Sequence, residues 1–227
     1  VGDYFGWSVS QNGSILAVGA SSANPDLVSD AGSVYLYRME NNDTVTFISK
    51  ITAHDKAPGD EFGSSISQEG DILAVGAPSS DPNNLGNAGS VYLYRLDNNG
   101  SPTYLTKIVA PDATNGDFFG NSLTQSDDFL AVGAYNSDPE GLNAAGSVYV
   151  FKMENNGTAS FLSKLTAPNK ATGDKFGKSI SMHGNFLAIG AFESDPDGLN
   201  AAGSAYLYRI ESNGSATFLD LVTAQDK

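Results

Sequence analysis

Residues 59–67 read Gly59-Asp60-Glu61-Phe62-Gly63-Ser64-Ser65-Ile66-Ser67. Close copies begin at Gly2 (GDYFGWSVS), Gly116 (GDFFGNSLT) and Gly173 (GDKFGKSIS). Their aspartates, Asp3, Asp60, Asp117 and Asp174, stand 57 residues apart. The same step joins Gly19, Gly76, Gly133 and Gly190, and again Gly32, Gly89, Gly146 and Gly203, so no insertion or deletion separates the copies. A fixed period of this order marks propellers, solenoids and arrays. The chain therefore divides into four like units, 1–56, 57–113, 114–170 and 171–227.

The second unit shows what each copy builds. Phe62 to Gln68 alternates and ends at the turn Glu69-Gly70, as a strand would. Ile72 to Ala77 (ILAVGA) is almost continuously apolar, which suits a strand buried on both faces. After the polar loop PSSDPNNLGNAG, Ser90 to Arg95 (SVYLYR) alternates again, and Asn98-Asn99-Gly100 closes a hairpin. Tyr104 to Ala110 reads as a fourth, more polar edge strand with Lys107 turned outward. No helical period appears. A four-stranded sheet that is apolar on both faces needs cover on both, and like neighbours stacked face to face around an axis supply it. The expectation is an all-β fold, a β-propeller of four-stranded antiparallel blades forming part of a larger ring or array. The alternative is a linear stack or β-solenoid. Gly76-Ala77 and Ala88-Gly89 recur in every copy, at points where blades would approach closely.

Bulk properties narrow the function classes. An apolar fraction of 40% argues against disorder. No apolar run approaches the roughly 18 to 20 residues of a membrane span, so membrane insertion is not expected. The net charge of −14 arises from 26 acidic against only 12 basic residues. Few basic groups argue against a nucleic-acid partner. Without cysteine there is no disulfide framework, thiolate metal site or cysteine nucleophile. The chain starts without Met or a signal peptide, which reads as processing or an excerpt.

The pattern FG, then GA(P), then GSVYLY resembles the FG-GAP repeat of integrin α-subunit propellers and many bacterial surface proteins. Phe62-Gly63 with Gly76-Ala77-Pro78 carries the full signature. Phe5-Gly6 with Gly19-Ala20, Phe119-Gly120 with Gly133-Ala134 and Phe176-Gly177 with Gly190-Ala191 carry it without proline. The resemblance implies a propeller blade on an extracellular or cell-surface protein. It departs at one place: integrin-type blades hold a calcium loop between the first two strands. Here Asn12-Gly13, Glu69-Gly70, Ser126-Asp127-Asp128 and His183-Gly184 make only tight turns, too short for a cation that takes six to eight oxygens. The chain looks like the shorter bacterial variant, and no cofactor is expected from that position.

A second loop, between the middle strands, reads NPDLVSDAG, DPNNLGNAG, DPEGLNAAG and DPDGLNAAG. Asn24, Asp81, Asp138 and Asp195 share one phase, and Asp26, Asn83, Glu140 and Asp197 follow two residues later. Paired oxygens make Asp81, Asp138, Asp195 and Asp197 candidate calcium ligands. Equally, Asp-Pro starts turns, and the loop has no bidentate glutamate to close it. The repeated aspartate of GDxFG is expected to cap the entry to the first strand through backbone N–H groups.

Where the copies differ on a constant frame, the varying positions are candidates for ligand contact. Trp7, Ser64, Asn121 and Lys178 share one phase, and Ser21, Pro78, Tyr135 and Phe192 another. Trp7, Tyr135 and Phe192 are candidates for stacking on a glycan or protein; the other reading packs Tyr135 and Phe192 on the next blade. Asn42, Asn99, Asn156 and Asn213 each open an Asn-x-Ser/Thr triplet at the hairpin, and Asn12 opens a fifth; they are turn residues and glycosylation candidates. His54 and His183, the only histidines, occupy different phases, and no nucleophile elbow, HExxH or phosphate loop is visible, so no catalytic residue is assigned.

These observations predict a non-catalytic extracellular module for adhesion or recognition of a protein or glycan. The alternative is a building block of a surface filament or stalk, with further copies of the same chain as partners. A third reading is a propeller accessory to a separate catalytic part. Lys227 has the phase of Lys56 and Val1 that of Pro58, which predicts an excerpt of a longer array or a half that pairs with another chain; a closed four-bladed monomer is the alternative.

Overall fold

A computed structural model describes residues 2–154 and 156–225; Val1 and Lys227, on which the phase count rests, lie outside the described residues. Among the described residues sixteen strands form four sheets. The first holds β1 (Phe5–Asn12), β2 (Ile15–Ala20), β3 (Ser33–Met39) and β4 (Val45–Ile51). The second holds β5 (Ser65–Glu69), β6 (Ile72–Ala77), β7 (Ser90–Leu96) and β8 (Pro102–Ile108). In the third are β9 (Ser122–Ser126), β10 (Phe129–Ala134), β11 (Ser147–Met153) and β12 (Ala159–Leu165), and in the fourth β13 (Ser179–His183), β14 (Phe186–Ala191), β15 (Ser204–Ile210) and β16 (Ala216–Val222). Each sheet is a simple antiparallel meander in sequence order. The molecule is an array of four β-propeller blades. Among the described residues no helix is long and apolar enough to cross a membrane.

The cores lie between blades. One joins Ala17, Val34, Leu36, Ile51 and Ala53 of the first blade and its exit to Phe62, Leu73, Val75, Tyr92 and Tyr94 of the second. The next two repeat it, the first of them with Ala74, Val91, Leu93 and Ile108 against Phe119, Leu130, Tyr149 and Phe151. The second sets Ala131, Val148, Val150 and Leu165 against Phe176, Leu187, Tyr206 and Tyr208. Each blade thus has an aromatic leading face and an aliphatic trailing face. Phe62, Phe119 and Phe176 are fully buried, each edge-on to two rings of its own blade.

Polar staples hold the inner strands together. Ser8 Oγ donates to the Gly63 carbonyl at 2.7 Å, Ser65 to Gly120 at 2.6 Å and Ser122 to Gly177 at 2.7 Å. One pleat further, Ser10, Ser67 and Thr124 hydroxyls accept the backbone N–H of Gln68, Gln125 and Met182. These bonds need backbone in contact with backbone, and glycine makes the room. A Cβ on Gly19, Gly76 or Gly133 would lie 2.1 Å from the carbonyl oxygen of Gly63, Gly120 or Gly177. At the outer edge a bulge leaves Ile48, Leu105, Leu162 and Leu219 without an opposite partner. Ile48, Leu105 and Leu162 press on the hairpin glycines of the following blade, Gly100, Gly157 and Gly214.

Two expectations for the strands need correction. Phe62-Gly63 does not start β5. Gly63 has φ +92°, and Phe62 instead forms a parallel bridge with Gly32 of the preceding blade. Nor does Lys107 point outward. It lies over the Tyr92 ring at 5.1 Å and bonds Asp55 at 2.9 Å, and the fourth strand runs from Pro102 to Ile108.

Candidate functional site

In a meander the β2–β3 loop and the connection between blades share one rim, and the two hairpins share the other. The repeated GDxFG turn lies on the first rim. Asp60, Asp117 and Asp174 are buried there, and each accepts the backbone N–H three residues upstream, from Ala57, Thr114 and Ala171, at 2.7 Å. This is the expected capping role. Burial pushes all three carboxyls above the ordinary range, against the pull of those hydrogen bonds.

The three capped aspartates are followed by Glu61, Phe118 and Lys175, with φ between 55° and 59°, and Tyr4, in the same phase, has φ 52°. Bulky residues rarely adopt that conformation, and here it turns four different side chains onto the rim. Sequence reasoning passed over this phase because it treated GDxFG as framework. The signal was present: the x position varies while its neighbours do not.

Three variable phases meet on this rim. Phe118 stacks on Tyr135 with ring centroids 5.6 Å apart and 15° between planes. From the next blade, Lys178 Nζ sits 4.0 Å from the Tyr135 ring centroid and Lys175 Nζ 5.5 Å. Lys178 also donates to Asn121 Oδ1, and Lys175 to Asn136 Oδ1. Burial and the charge of Lys175 hold the Lys178 amine below its ordinary value. Burial, then the charges of Glu61 and Glu193, raise the Tyr135 hydroxyl. Packing on the next blade therefore describes Tyr135. Trp7 and Phe192 are more open, at 62% and 52% exposure. Trp7 stacks on Tyr4 at 5.8 Å. Trp7, Tyr135 and Phe192 belong to three different blades along the rim.

The β2–β3 loop also lies here. Oδ1 of Asn24, Asp81, Asp138 and Asp195 accepts the backbone N–H six residues on, from Asp30, Asn87, Ala144 and Ala201, at 2.6–2.7 Å. Asp26 and Glu140 reach Lys56 and Lys170 at 3.0 and 3.1 Å. Asp197 follows the same backbone path, at φ +58°. The first oxygen of each pair closes its own loop, and no group of three or more acidic or histidine side chains able to hold a metal occurs among the described residues.

A third arrangement escaped the sequence reading. Asp55 accepts Tyr92 Oη at 2.8 Å and Lys107 Nζ at 2.9 Å; Asp112 accepts Tyr149 and Lys164, both at 2.7 Å. Burial alone would raise these two carboxyls, but the hydrogen bonds from lysine and tyrosine outweigh it and hold them low. In the fourth blade the aspartate is Asn169, bonded to Tyr206, and the lysine position is Leu221. Anion and cation are lost together.

On the opposite rim, Asn42, Asn156 and Asn213 are exposed and accept the hydroxyl and N–H of Thr44, Thr158 and Ser215. Asn99 shares the same hairpin phase. A concavity of about 690 Å³ lies among these turns, with Glu69, Asp71, Asp127, Asp128 and Glu154 around Arg95. His54 packs on Tyr104 near the first blade's exit, and His183 ends β13, so the structure does not bring the two histidines together.

Compared with known protein families, residues 1–37, 45–94, 103–151 and 160–208 match the FG-GAP repeat. Each later match begins in the outer strand of one blade and ends in the third strand of the next. No curated protein matches. Among solved structures, a protein from Lactobacillus plantarum superposes with a TM-score of 0.62 at 13% identity, over 95% of this chain and 55% of that one. The chain spans about half the length of that structure, and the likeness shows the fold.

Proposed function

From the premise that this chain belongs to the FG-GAP repeat family, we propose that it is a non-catalytic extracellular recognition module. The GDxFG rim is its ligand face. The observation that carries this is the cluster of Phe118, Tyr135, Lys175 and Lys178, where a repeated frame presents residues that do not repeat. Two of the 12 basic residues of a strongly acidic chain stand side by side there. A ligand with a flat apolar face and an anionic group, such as a uronic-acid glycan or an acidic protein loop, would meet the exposed aromatics and relieve the lysine repulsion. The hairpin asparagines lie on the other rim, so glycans attached there would leave this face clear.

Titration with acidic and neutral oligosaccharides tests the reading. Saturable binding of the acidic ones should weaken about tenfold or more in Lys178→Ala or Phe192→Ala. It should be unchanged in Asn213→Gln. Absence of binding, or equal loss in all three variants, would refute it.

A further inference from the structure

Among the described residues, lysine amines lie over four tyrosine rings. Three of those rings carry a single amine: Lys50 over Tyr35 at 5.5 Å, Lys107 over Tyr92 at 5.1 Å and Lys164 over Tyr149 at 5.2 Å. Lys107 and Lys164 are also paired with Asp55 and Asp112. Tyr135 carries two amines, Lys178 at 4.0 Å and Lys175 at 5.5 Å.

One positive charge suits that place. The ring face attracts it, and the charges of Glu61 and Glu193 reach Tyr135. Two do not suit it, because like charges at one site push one group toward its neutral form. Lys175 is placed to keep its proton, donating to Asn136 Oδ1 at 2.8 Å. Lys178 is placed to give one up, since burial and the Lys175 charge both act in that direction. Asn121 grips Lys178 at both ends. Its Oδ1 accepts from Nζ at 3.1 Å, and its Nδ2 donates to the Lys178 carbonyl at 3.3 Å. With one N–H on Asn121 and another over the ring, the third position of the neutral amine carries the lone pair. The residue is exposed, so a solute can reach it.

We propose that Lys178 is a covalent capture site for an aldehyde that also carries a carboxylate, such as the reducing end of a uronic-acid chain. The inference rests on the ligand face assigned above and adds a bond to it. Lys175 pairs with the carboxylate while Lys178 attacks the carbonyl carbon. A C–N bond forms, both amine hydrogens leave with the carbonyl oxygen as water, and an imine remains. No oxidant or reductant is consumed. A lysine beside a second cation is one of the arrangements in which the amine becomes a nucleophile.

Incubating the intact chain with glucuronic acid and cyanoborohydride, which reduces the imine to a stable secondary amine, tests the proposal by peptide mass mapping. Lys178 should be labelled about tenfold faster than Lys50, an exposed lysine over a ring that holds one amine. Glucose should label Lys178 about tenfold more slowly than glucuronic acid, because it gives Lys175 nothing to hold. In Lys175→Gln, which keeps a donor for Asn136, labelling of Lys178 should fall to the rate of Lys50, with circular dichroism and Lys50 labelling unchanged. Labelling spread evenly over the lysines would overturn the proposal. So would equal rates with glucose and glucuronic acid, or a Lys175→Gln variant that labels like the wild type. Reversible binding of acidic oligosaccharides whose reducing end is blocked would survive each of those results, so the capture site and the ligand face fail separately.

Discussion

Gly76→Ala, compared with Gly190→Ala, isolates the contribution of blade contact. Both glycines sit in the second strand of a blade, in the same phase, and neither has a positive φ. At Gly76 the added carbon would lie 2.1 Å from the Gly120 carbonyl oxygen, a shortfall of roughly 0.9 Å from the 3.0 Å that real Cβ atoms tolerate. It would also strike Ser65 Oγ at 2.3 Å and break that residue's bond to Gly120. Backbone cannot swing aside as a side chain can, so the second and third blades must part. A gap of 0.5 to 1 Å forfeits about a quarter to a half of the dispersion energy of the contacts it opens. Overpacking typically costs about 1 to 3 kcal/mol, and the rigid neighbour puts this site at the upper end, about 3 kcal/mol. For a chain of this size that lowers Tm by roughly 6 to 12 °C. At Gly190 only the Ser179 hydroxyl is close, at 2.4 Å, and it can rotate. Removing a strand glycine there gains up to about 0.5–1 kcal/mol. Thermal and urea unfolding at low micromolar concentration read both values. Equal shifts in the two variants, or an unchanged Gly76→Ala midpoint, would refute the face-to-face account of blade packing.

The pH dependence follows from the caps. Burial raises the folded pKa of Asp117 above its unfolded value, so its contribution to stability grows as pH falls toward that pKa and is lost as pH rises past it. Asp117→Asn, which keeps an acceptor for Thr114, should therefore gain on the wild type as pH rises from 4 to 7; a constant difference in urea midpoint would contradict this. Asp55 and Asp112 run the other way: their depressed pKa contributes stability above the unfolded carboxylate value, and acid removes it. Lys164→Leu should lower the midpoint, and adding Asp112→Asn, which copies the Asn169/Leu221 arrangement, should restore most of the loss. A coupling of about 0.5–1 kcal/mol is expected from the double-mutant cycle, and strict additivity would show that the pair does not interact. Millimolar calcium should leave Tm where EDTA leaves it. Binding at 100 Kd would add about 2.7 kcal/mol, so a rise of several degrees would assign a cation to the Asp81, Asp138 and Asp195 loops.

Repetition made the architecture readable. A 57-residue step without gaps places every strand once one copy is understood, and the apolar character of both faces of ILAVGA demands neighbours on each side. What escaped was whatever one blade does to the next. Phe62 reads as the first residue of a strand, yet its backbone is claimed by Ala31 and Gly32 of the preceding blade. Lys107 reads as an edge residue in the solvent, yet Asp55 and Tyr92 hold it across an interblade connection that no single repeat displays. The candidate rim was legible in part. Variation after FG and after GA pointed to Trp7, Tyr135 and Phe192, but only folding reveals that Phe118 and Lys175 share their surface, because a positive φ turns them there.

Because no sheet has a core of its own, a single repeat cannot bury its apolar residues. As a chain emerges from the ribosome, the core between the first and second blades is sealed only when the second sheet is complete with β8, at Ile108, and each later repeat docks on the face of the one before it. During translation the exposed species is always a single unpaired sheet. Its trailing Ala, Val and Leu face is the patch that a chaperone would have to shield until the next 57 residues arrive.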